Sequence, residues 1–484
     1  MKNIYFIGIG GIGMSAIARY YNAKGFKVSG YDKTPSPLTH ALESEGINIH
    51  YTDDTSYIPT DVENTLVVYT PAIPKDMGEL VYVQENDYRV IKRSRMLGEI
   101  AQGQRCMAVA GTHGKTTTST LVSHLFTASG EGCSAFLGGI SKNYDSNLLI
   151  HENDVIVAEA DEFDRSFLQL FPEVAVITSM DADHLDIYGD EAHIKEAFKA
   201  FASQVSGTVI ARKGLDISSA DTKADIKTYA YGDSSADFYA EPTENGHFNL
   251  HYPGGMIEDC VVGIPGWVNI ENGVAASAIA LTYGIKPGKI KEALASFQGV
   301  KRRFDMQVRY DDLVYLDDYA HHPNEISAAI SSTRERYPDF RYTAIFQPHL
   351  YTRTRDFAPE FAEALSKVDR LVLLDIYPAR ELPIPGVTSE IIFDAATAPV
   401  KVLMRKEELL DWMKEQTLEG KELFMTLGAG DIDRLVGPIG DSPFLMRLKR
   451  SRLSSTGLSL QGLTAGLVVS PRYSLNCSGV SSQT

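Results

Sequence analysis

Ala108-Val109-Ala110-Gly111-Thr112-His113-Gly114-Lys115-Thr116-Thr117-Thr118 decides the fold class of this 484-residue chain. An apolar strand, Arg105–Ala110, runs into a glycine turn. A lysine follows, and hydroxyl residues open a helix predicted over Thr117–Ala128. Backbone N–H groups at a helix N-terminus point at an anion, a lysine meets the terminal phosphates, and a hydroxyl reaches magnesium. Val109 stands where the general pattern G-x-x-x-x-G-K-[ST] has its first glycine, so the match is to the narrower G-T-x-G-K-[ST]. A chance Gly-Lys-Thr in a surface turn would lack the flanking strand and helix. Gly111, Thr112, His113, Gly114, Lys115, Thr116 and Thr117 are therefore read as a phosphate cradle.

Upstream, residues 1 to about 103 alternate strand and helix: Lys2–Ile9, helix Met14–Lys24, then strands Lys27–Tyr31 and Thr65–Tyr69. Between the first strand and helix, Gly8-Ile9-Gly10-Gly11-Ile12-Gly13 satisfies G-x-G-x-x-G, and Asp32 ends the second strand. That context suits a pyrophosphate on a helix N-terminus and an acid on a ribose. Its default reading is NAD or FAD, and spacing alone leaves the pyrophosphate compound open.

Downstream, strands are expected at Val155–Ala158 and Val174–Thr178, with a helix at Glu191–Ser203. The first of these strands ends in Glu159-Ala160-Asp161-Glu162, and the second leads into Asp181-Ala182-Asp183-His184-Leu185-Asp186. Open α/β sheets bind ligands at the carboxyl ends of their strands, where carboxylates suit magnesium, a hard cation that takes oxygen ligands. His184 at such an edge is a candidate second-metal ligand. Residues 205–262 read as β-rich, and Asn272–Tyr283 and Pro287–Phe297 as helices. A third unit opens near 305 with strands Leu313–Leu316, Tyr342–Phe346, Arg370–Leu374 and Leu423–Leu427. Two of them lead into Asp317-Asp318-Tyr319-Ala320-His321-His322-Pro323 and Gln347-Pro348-His349-Leu350-Tyr351-Thr352-Arg353-Thr354. Lys301-Arg302-Arg303, just before this unit, reads equally as a linker charge run or as a source of a cation for a transferring phosphoryl group.

The expected architecture is α/β in three domains. These are a Rossmann-like unit over 1–103, a central P-loop ATPase-type domain with a mostly parallel sheet over 104–304, and a second Rossmann-like unit over 305–440. Residues 441–484 carry five Lys or Arg against one acid, with little periodicity, and are expected to form a poorly ordered tail. A net charge of -17 argues against a nucleic-acid binder. The four cysteines, at 106, 133, 260 and 477, fit neither a zinc site nor a C-x-x-C pair, so reduced thiols are expected. The apolar stretch Ile4–Ala18 has glycines at phosphate-loop spacing rather than a signal-peptide layout, and no run approaches the roughly 18 apolar residues of a membrane helix. A cytoplasmic location is expected.

Taken together, these motifs resemble those of the Mur ligases. They are Gly13-Met14-Ser15 at the end of the first glycine loop, Gly-Thr-His-Gly-Lys-Thr (111–116), Glu-Ala-Asp-Glu (159–162) and Asp-His-x-Asp (183–186). Arg-Arg-Phe (302–304), Asp-Asp-Tyr-x-His-His-Pro (317–323) and Gly-Ala-Gly-Asp (428–431) complete the set, which spans residues 1 to about 440. The resemblance is to the alanine-adding branch. It implies an ATP-dependent ligation of L-alanine to UDP-N-acetylmuramate through an acyl phosphate, within peptidoglycan precursor synthesis. The first domain would then bind UDP rather than NAD, through Gly10, Gly11, Ile12, Gly13, Met14, Asp32, Thr70, Ala72 and Arg93. ATP would lie on the phosphate cradle with Asn269, Asn272, Arg303, Asp318 and His321. Thr116 and Glu159 would hold one Mg²⁺ and His184 a second. Lys115, His184, Arg303, His349 and Arg353 would act in catalysis, the last pair toward the sugar-acid carboxylate or alanine.

The chain departs from the family pattern at Val268 (usually His before the adenine-side Asn), at Ser179 (usually Asn) and at Leu350 (usually Arg). Several sister ligases carry a lysine, modified to a metal-holding carbamate, fourteen positions after the Asp-His histidine. Here that position is Phe198, and Lys199 is turned by about 100° on a helix, so no carbamylated lysine is expected. Two other readings share part of the pattern: a sister ligase recycling a muramyl peptide, and an NAD-dependent oxidoreductase. Hydride transfer has no use for a γ-phosphate cradle, which counts against the second.

Overall fold

The computed structural model describes residues 2–181, 185–379, 381–416 and 420–442. Within these the chain forms three sheets in sequence order. The first holds β1 (Asn3–Ile7), β2 (Lys27–Tyr31), β3 (Asn48–His50), β4 (Thr65–Tyr69) and β5 (Arg89–Lys92). All its pairings are parallel, in the order β3-β2-β1-β4-β5. Helix Ile12–Ala23 leaves the glycine loop behind β1, at the point where the strand order reverses, which is where open α/β sheets form their crevice.

The second sheet contains β6 (Arg105–Ala110), β7 (Ser134–Ser141), β8 (Ser146–Leu149), β9 (Val155–Ala160), β10 (Val174–Ile177), β11 (Thr208–Arg212), β12 (Asp225–Tyr231), β13 (Phe238–Pro242), β14 (Phe248–Tyr252) and β15 (Gly255–Cys260). Its order is β15-β14-β13-β12-β11-β10-β6-β9-β7-β8, parallel from β13 to β7 with antiparallel hairpins at both edges. Central β6 is buried almost throughout, as its unbroken apolar run requires. The third sheet orders β16 (Asp305–Arg309), β17 (Leu313–Asp318), β21 (Glu422–Leu427), β18 (Arg341–Phe346), β19 (Arg370–Leu373) and β20 (Val400–Leu403), with only β16 antiparallel to its neighbour.

The first two domains share a core. One apolar cluster runs from Ile4, Phe6 and Ile17 through Phe136 to Phe167 and Phe198. Asn147 on β8 locks the seam. It is fully buried, donates to Ile12 O (2.6 Å) and Ser15 Oγ (2.9 Å), and accepts from Arg19 Nη1 (2.5 Å). The third domain keeps its own clusters, whose buried members all come from Phe304 onward.

Cys106, Cys133 and Cys260 are free and buried. No described helix is long and apolar enough to cross a membrane. His184 and all but the first two residues of the 441–484 tail lie outside the described residues.

Phe198 is fully buried and packs edge-on against Phe167 at 5.2 Å, whereas Lys199 reaches Asp216 at 2.8 Å on the exposed side of its helix. Lys199→Ala is therefore expected to keep most activity, and removal of bicarbonate from the buffer to change nothing. A mass gain of one CO₂ on Lys199 together with a bicarbonate-dependent rate would contradict this.

Candidate active site

The cradle begins where β6 ends. Gly111 has φ +134°, and a Cβ there would overlap the Thr178 hydroxyl and lie 2.8 Å from Ser179 N. Gly114, at φ +80°, starts helix Lys115–Ser129 without a side-chain cap, so the first-turn N–H groups are not engaged by a capping side chain. The loop is held from behind. Ser179 Oγ lies 2.8 Å from Thr112 Oγ1 and accepts from His113 N at 2.8 Å, while Thr178 donates to Ala110 O at 3.1 Å and to His113 O. The serine that departs from the family pattern thus braces the loop. Gly111→Ala is expected to abolish nucleotide binding or prevent folding. Wild-type nucleotide affinity in that variant, read by calorimetry, would contradict the tight approach of loop and strand.

Lys115 Nζ donates to Gly111 O (2.6 Å) and pairs with buried Glu162 at 2.8 Å. Burial pushes the Glu162 carboxyl up, against the pull of Lys115. Thr116 Oγ1 donates to Glu159 Oε1 at 3.1 Å, and Glu159 Oε2 accepts from Gly138 N at 3.2 Å. A side chain at 138 would overlap that carboxylate. Thr116 and Glu159 offer hard oxygen donors that fit Mg²⁺. Among the described residues no group of three or more His, Cys, Asp or Glu is placed to hold a metal.

Three cavities meet at this cradle. The first, about 430 Å³, is lined by His113, Gly114, Thr117, Asn269, Asn272, Arg303, Asp318 and Glu325, with Arg212, Tyr229, Trp267 and Ser332 at its walls. The second, about 660 Å³, is lined by Gly11, Ile12, Gly13, Met14, Thr70, Ala72 and Arg93 on one side and Thr116, Glu159, Arg303 and Tyr319 on the other. Between them a space of about 90 Å³ is bounded by Thr112, Lys115, Thr116, Glu159, Glu162, Arg303 and His321. Arg303 lies in all three walls, 4.5 Å over the Tyr319 ring. Burial pushes Asp318 up to about 7, against Arg303.

Other expected residues stand off these walls. Gly10 N donates to Asp32 Oδ2 at 2.8 Å and Asp32 Oδ1 accepts from Thr34 N at 3.1 Å, so this acid braces the glycine loop. His349 lies edge-on to His321 at 5.9 Å and stacks on Tyr377 at 5.8 Å. Arg353 is buried in helix Tyr351–Asp356, behind Leu350, whose φ is +70°. Sequence reading missed Trp267, Arg212, Tyr229 and Ser332. A tryptophan after Gly266 at a helix start was the one available signal, whereas the other three come from separate elements with no local pattern.

Residues 3–105 match the catalytic domain of the Mur ligase family, 109–280 the Mur ligase middle domain, and 302–430 the Mur ligase glutamate ligase domain. The chain belongs to the Mur ligase family. The phosphate cradle lies in the Mur ligase middle domain, and the Arg303 that joins its cavities sits at the start of the third match. Similar proteins include the UDP-N-acetylmuramate–L-alanine ligase of Porphyromonas gingivalis, 50% identical over 450 residues, which are 91% of this chain and 98% of the relative. The enzyme of the same name from Parabacteroides distasonis is 51% identical over 448 residues, 90% and 96% of the two chains. Among solved structures, the UDP-N-acetylmuramate–alanine ligase of Thermotoga maritima superposes with a TM-score of 0.77 at 25% identity, covering 93% of this chain and 99% of that one. A murein peptide ligase from Psychrobacter arcticus shares the fold, with a TM-score of 0.68 and 21% identity.

Proposed function

We infer that this chain is an ATP-dependent ligase that joins L-alanine to UDP-N-acetylmuramate in peptidoglycan precursor synthesis. The identity of the substrates rests on the relatives named for that reaction, which align over nine-tenths of the chain. The chemistry rests on one observation: Arg303 lies at the junction of a cavity beside the phosphate cradle and a cavity beside the first glycine loop. A carboxylate is a poor acyl donor. Its oxygen attacks the γ-phosphorus of ATP, the bond to the bridging oxygen breaks, and ADP leaves. The alanine amine then attacks the acyl-phosphate carbon, and the tetrahedral intermediate expels inorganic phosphate. Two anions must approach in the first step, and Lys115 and Arg303 spread that charge. Lys115 would exchange Glu162 for phosphate oxygens, and the raised Glu162 carboxyl can hold a proton at Oε2 when the lysine leaves it.

ATP would extend from the cradle toward Asn269, Asn272 and Asp318, with His321 beside the γ-phosphate. The sugar nucleotide would occupy the second cavity between Gly11–Met14, Thr70, Ala72 and Arg93, with Gly10 and Asp32 shaping that loop from behind. Thr116 and Glu159 would hold one Mg²⁺ and His184 a second. Bound there, magnesium neutralises charge on the phosphates and polarises the transferring group. His349 and Arg353 would orient the carboxylate or alanine from the third domain. Residues 1–103, 104–304 and 305–440 serve as the sugar-nucleotide, ATP and closing modules, and a cytoplasmic site of action suits an enzyme of soluble nucleotide substrates. ADP release, coupled to a dehydrogenase readout, tests the reading. Release with UDP-N-acetylmuramate plus L-alanine is expected. Release with a muramyl-type tripeptide but not alanine would move the chain to the recycling branch.

A further inference from the structure

Among the described residues, no cluster of buried apolar side chains crosses from the central to the third domain. The central cluster ends at Val300, and the others start at Phe304. Polar contacts join these two bodies, and one of them is made by the phosphate loop itself. His113 Nδ1 lies 3.2 Å from Glu325 Oε1, across 212 residues of chain. On its other side, His113 Nε2 lies 3.2 Å from Asp181 of its own domain. Glu325 stands in the first turn of helix Pro323–Arg336, where its Oε2 accepts from the backbone N–H of His321 (3.0 Å) and of His322 (3.2 Å). Capping the helix therefore occupies one carboxylate oxygen, and the second reaches the loop. Beside it, Asn324 Nδ2 lies 3.5 Å from Asp181, and the His113 and His322 rings are 5.0 Å apart.

We propose that His113 and Glu325 form a latch through which the phosphate loop holds the third domain in its closed position, which makes both of them positioning residues for phosphoryl transfer. The proposal rests on the reading of this loop as the ATP cradle. The closed position matters because Asp318, His321 and Ser332 of the third domain complete cavity walls that begin on the central domain. A domain joined by a few charge-assisted hydrogen bonds rather than an apolar seam can open for exchange and close for chemistry. The charges are matched for this. Burial alone would lower the His113 imidazole, but the paired carboxylates of Asp181 and Glu325 together outweigh burial and hold it up at about 9. Burial alone would raise Glu325, but His321 and His113 hold it well below the usual carboxylate range. Opening the domain would leave the imidazolium with Asp181 alone.

The test is a double-mutant cycle on the full chain with His113→Asn, Glu325→Gln and the pair, read as kcat/KM for ATP in the ADP-release assay. The affinity for UDP-N-acetylmuramate, measured by calorimetry, serves as the folding control. Each single change is expected to cost roughly tenfold, and the pair about as much as either alone, because each change already removes the shared bond. Sugar-nucleotide affinity should stay at the wild-type value. A merely helix-capping Glu325 would not couple to His113, so a pair that loses the product of the two single effects overturns the latch. So does a single variant with wild-type kcat/KM. Should Glu325→Gln fail to fold, Glu325→Asp keeps the cap and the charge but shortens the reach, and it is expected to show the same loss. Wild-type kcat/KM in Glu325→Asp overturns the latch. Wild-type protein without ADP release would overturn the site reading together with the latch, whereas wild-type release with independent single effects overturns the latch alone.

Discussion

Lys115→Ala is expected to lower turnover by about 10³-fold, ~4 kcal/mol of lost transition-state stabilisation, while the affinity for UDP-N-acetylmuramate is unchanged. The lysine stands in the small central cavity, whereas the residues of the first glycine loop line the larger one, with no lysine from the cradle among them. The change also strands buried Glu162, but burial already raises that carboxyl, so it can neutralise by taking up a proton rather than remain an unpaired buried charge. A modest drop in Tm should therefore accompany the catalytic loss. ADP release near the wild-type rate would remove the ATP-site assignment.

Arg303→Ala should be the other severe lesion, with kcat down about 10²- to 10³-fold, as for the loss of one preorganised charge at a developing anion. Because Arg303 lies in the walls of all three cavities, KM for ATP and for the sugar nucleotide should both rise, unlike in Lys115→Ala. Its neighbour provides a contrast. Arg302, at φ +65°, donates to Gly428 O at 2.8 Å and approaches buried Asp317 at 3.4 Å. Arg302 thus anchors the domain linker to the third sheet and borders only the second cavity, whereas Arg303 reaches all three. Steady-state kinetics that show only one substrate's KM changed in Arg303→Ala would contradict its place at the junction.

Much of this organisation was legible in the sequence where burial dictates residue type. β2, β4 and β6 fall on the expected residues, β4 and β6 because their apolar runs leave a buried parallel strand little freedom. Helix Glu191–Ser203 begins and ends as read, since Asp190 caps it by accepting from His193 N. Helix Lys115–Ser129 starts two residues before the expected Thr117, since Gly114 rather than a hydroxyl residue is its N-cap. The hairpin β7–β8 escaped notice because Gly138, Gly139 and the polar residues around its turn break any alternation. Those glycines are required by Glu159 and by Val300, far along the chain. Short edge strands β3, β5 and β20 carry too few residues for a period to emerge.

The same limit applied to the active site. Motifs at 111–117, 159–162 and 317–323 could be placed because each lies at a strand's carboxyl end, and 302–304 because it opens the third unit; the fold gathers them at one place. What each side chain touches was not legible. Asp32 turned out to serve the loop's own backbone, and Lys115 to rest on Glu162. His113 meets Glu325 and Asn147 meets Ile12 across 212 and 135 residues, and no local pattern encodes contacts of that range. Glu325 was not among the expected site residues; it caps its helix with one carboxylate oxygen and reaches His113 with the other.

The most direct test of the central claim follows the oxygen. UDP-N-acetylmuramate labelled with ¹⁸O in its lactyl carboxylate is incubated with the protein, ATP, Mg²⁺ and L-alanine, and the products are analysed by mass spectrometry. One ADP and one phosphate per UDP-N-acetylmuramoyl-L-alanine formed, with one ¹⁸O moved from the carboxylate to the phosphate, is the predicted result. Amide formed without that transfer, or ATP cleaved without amide, would contradict the account.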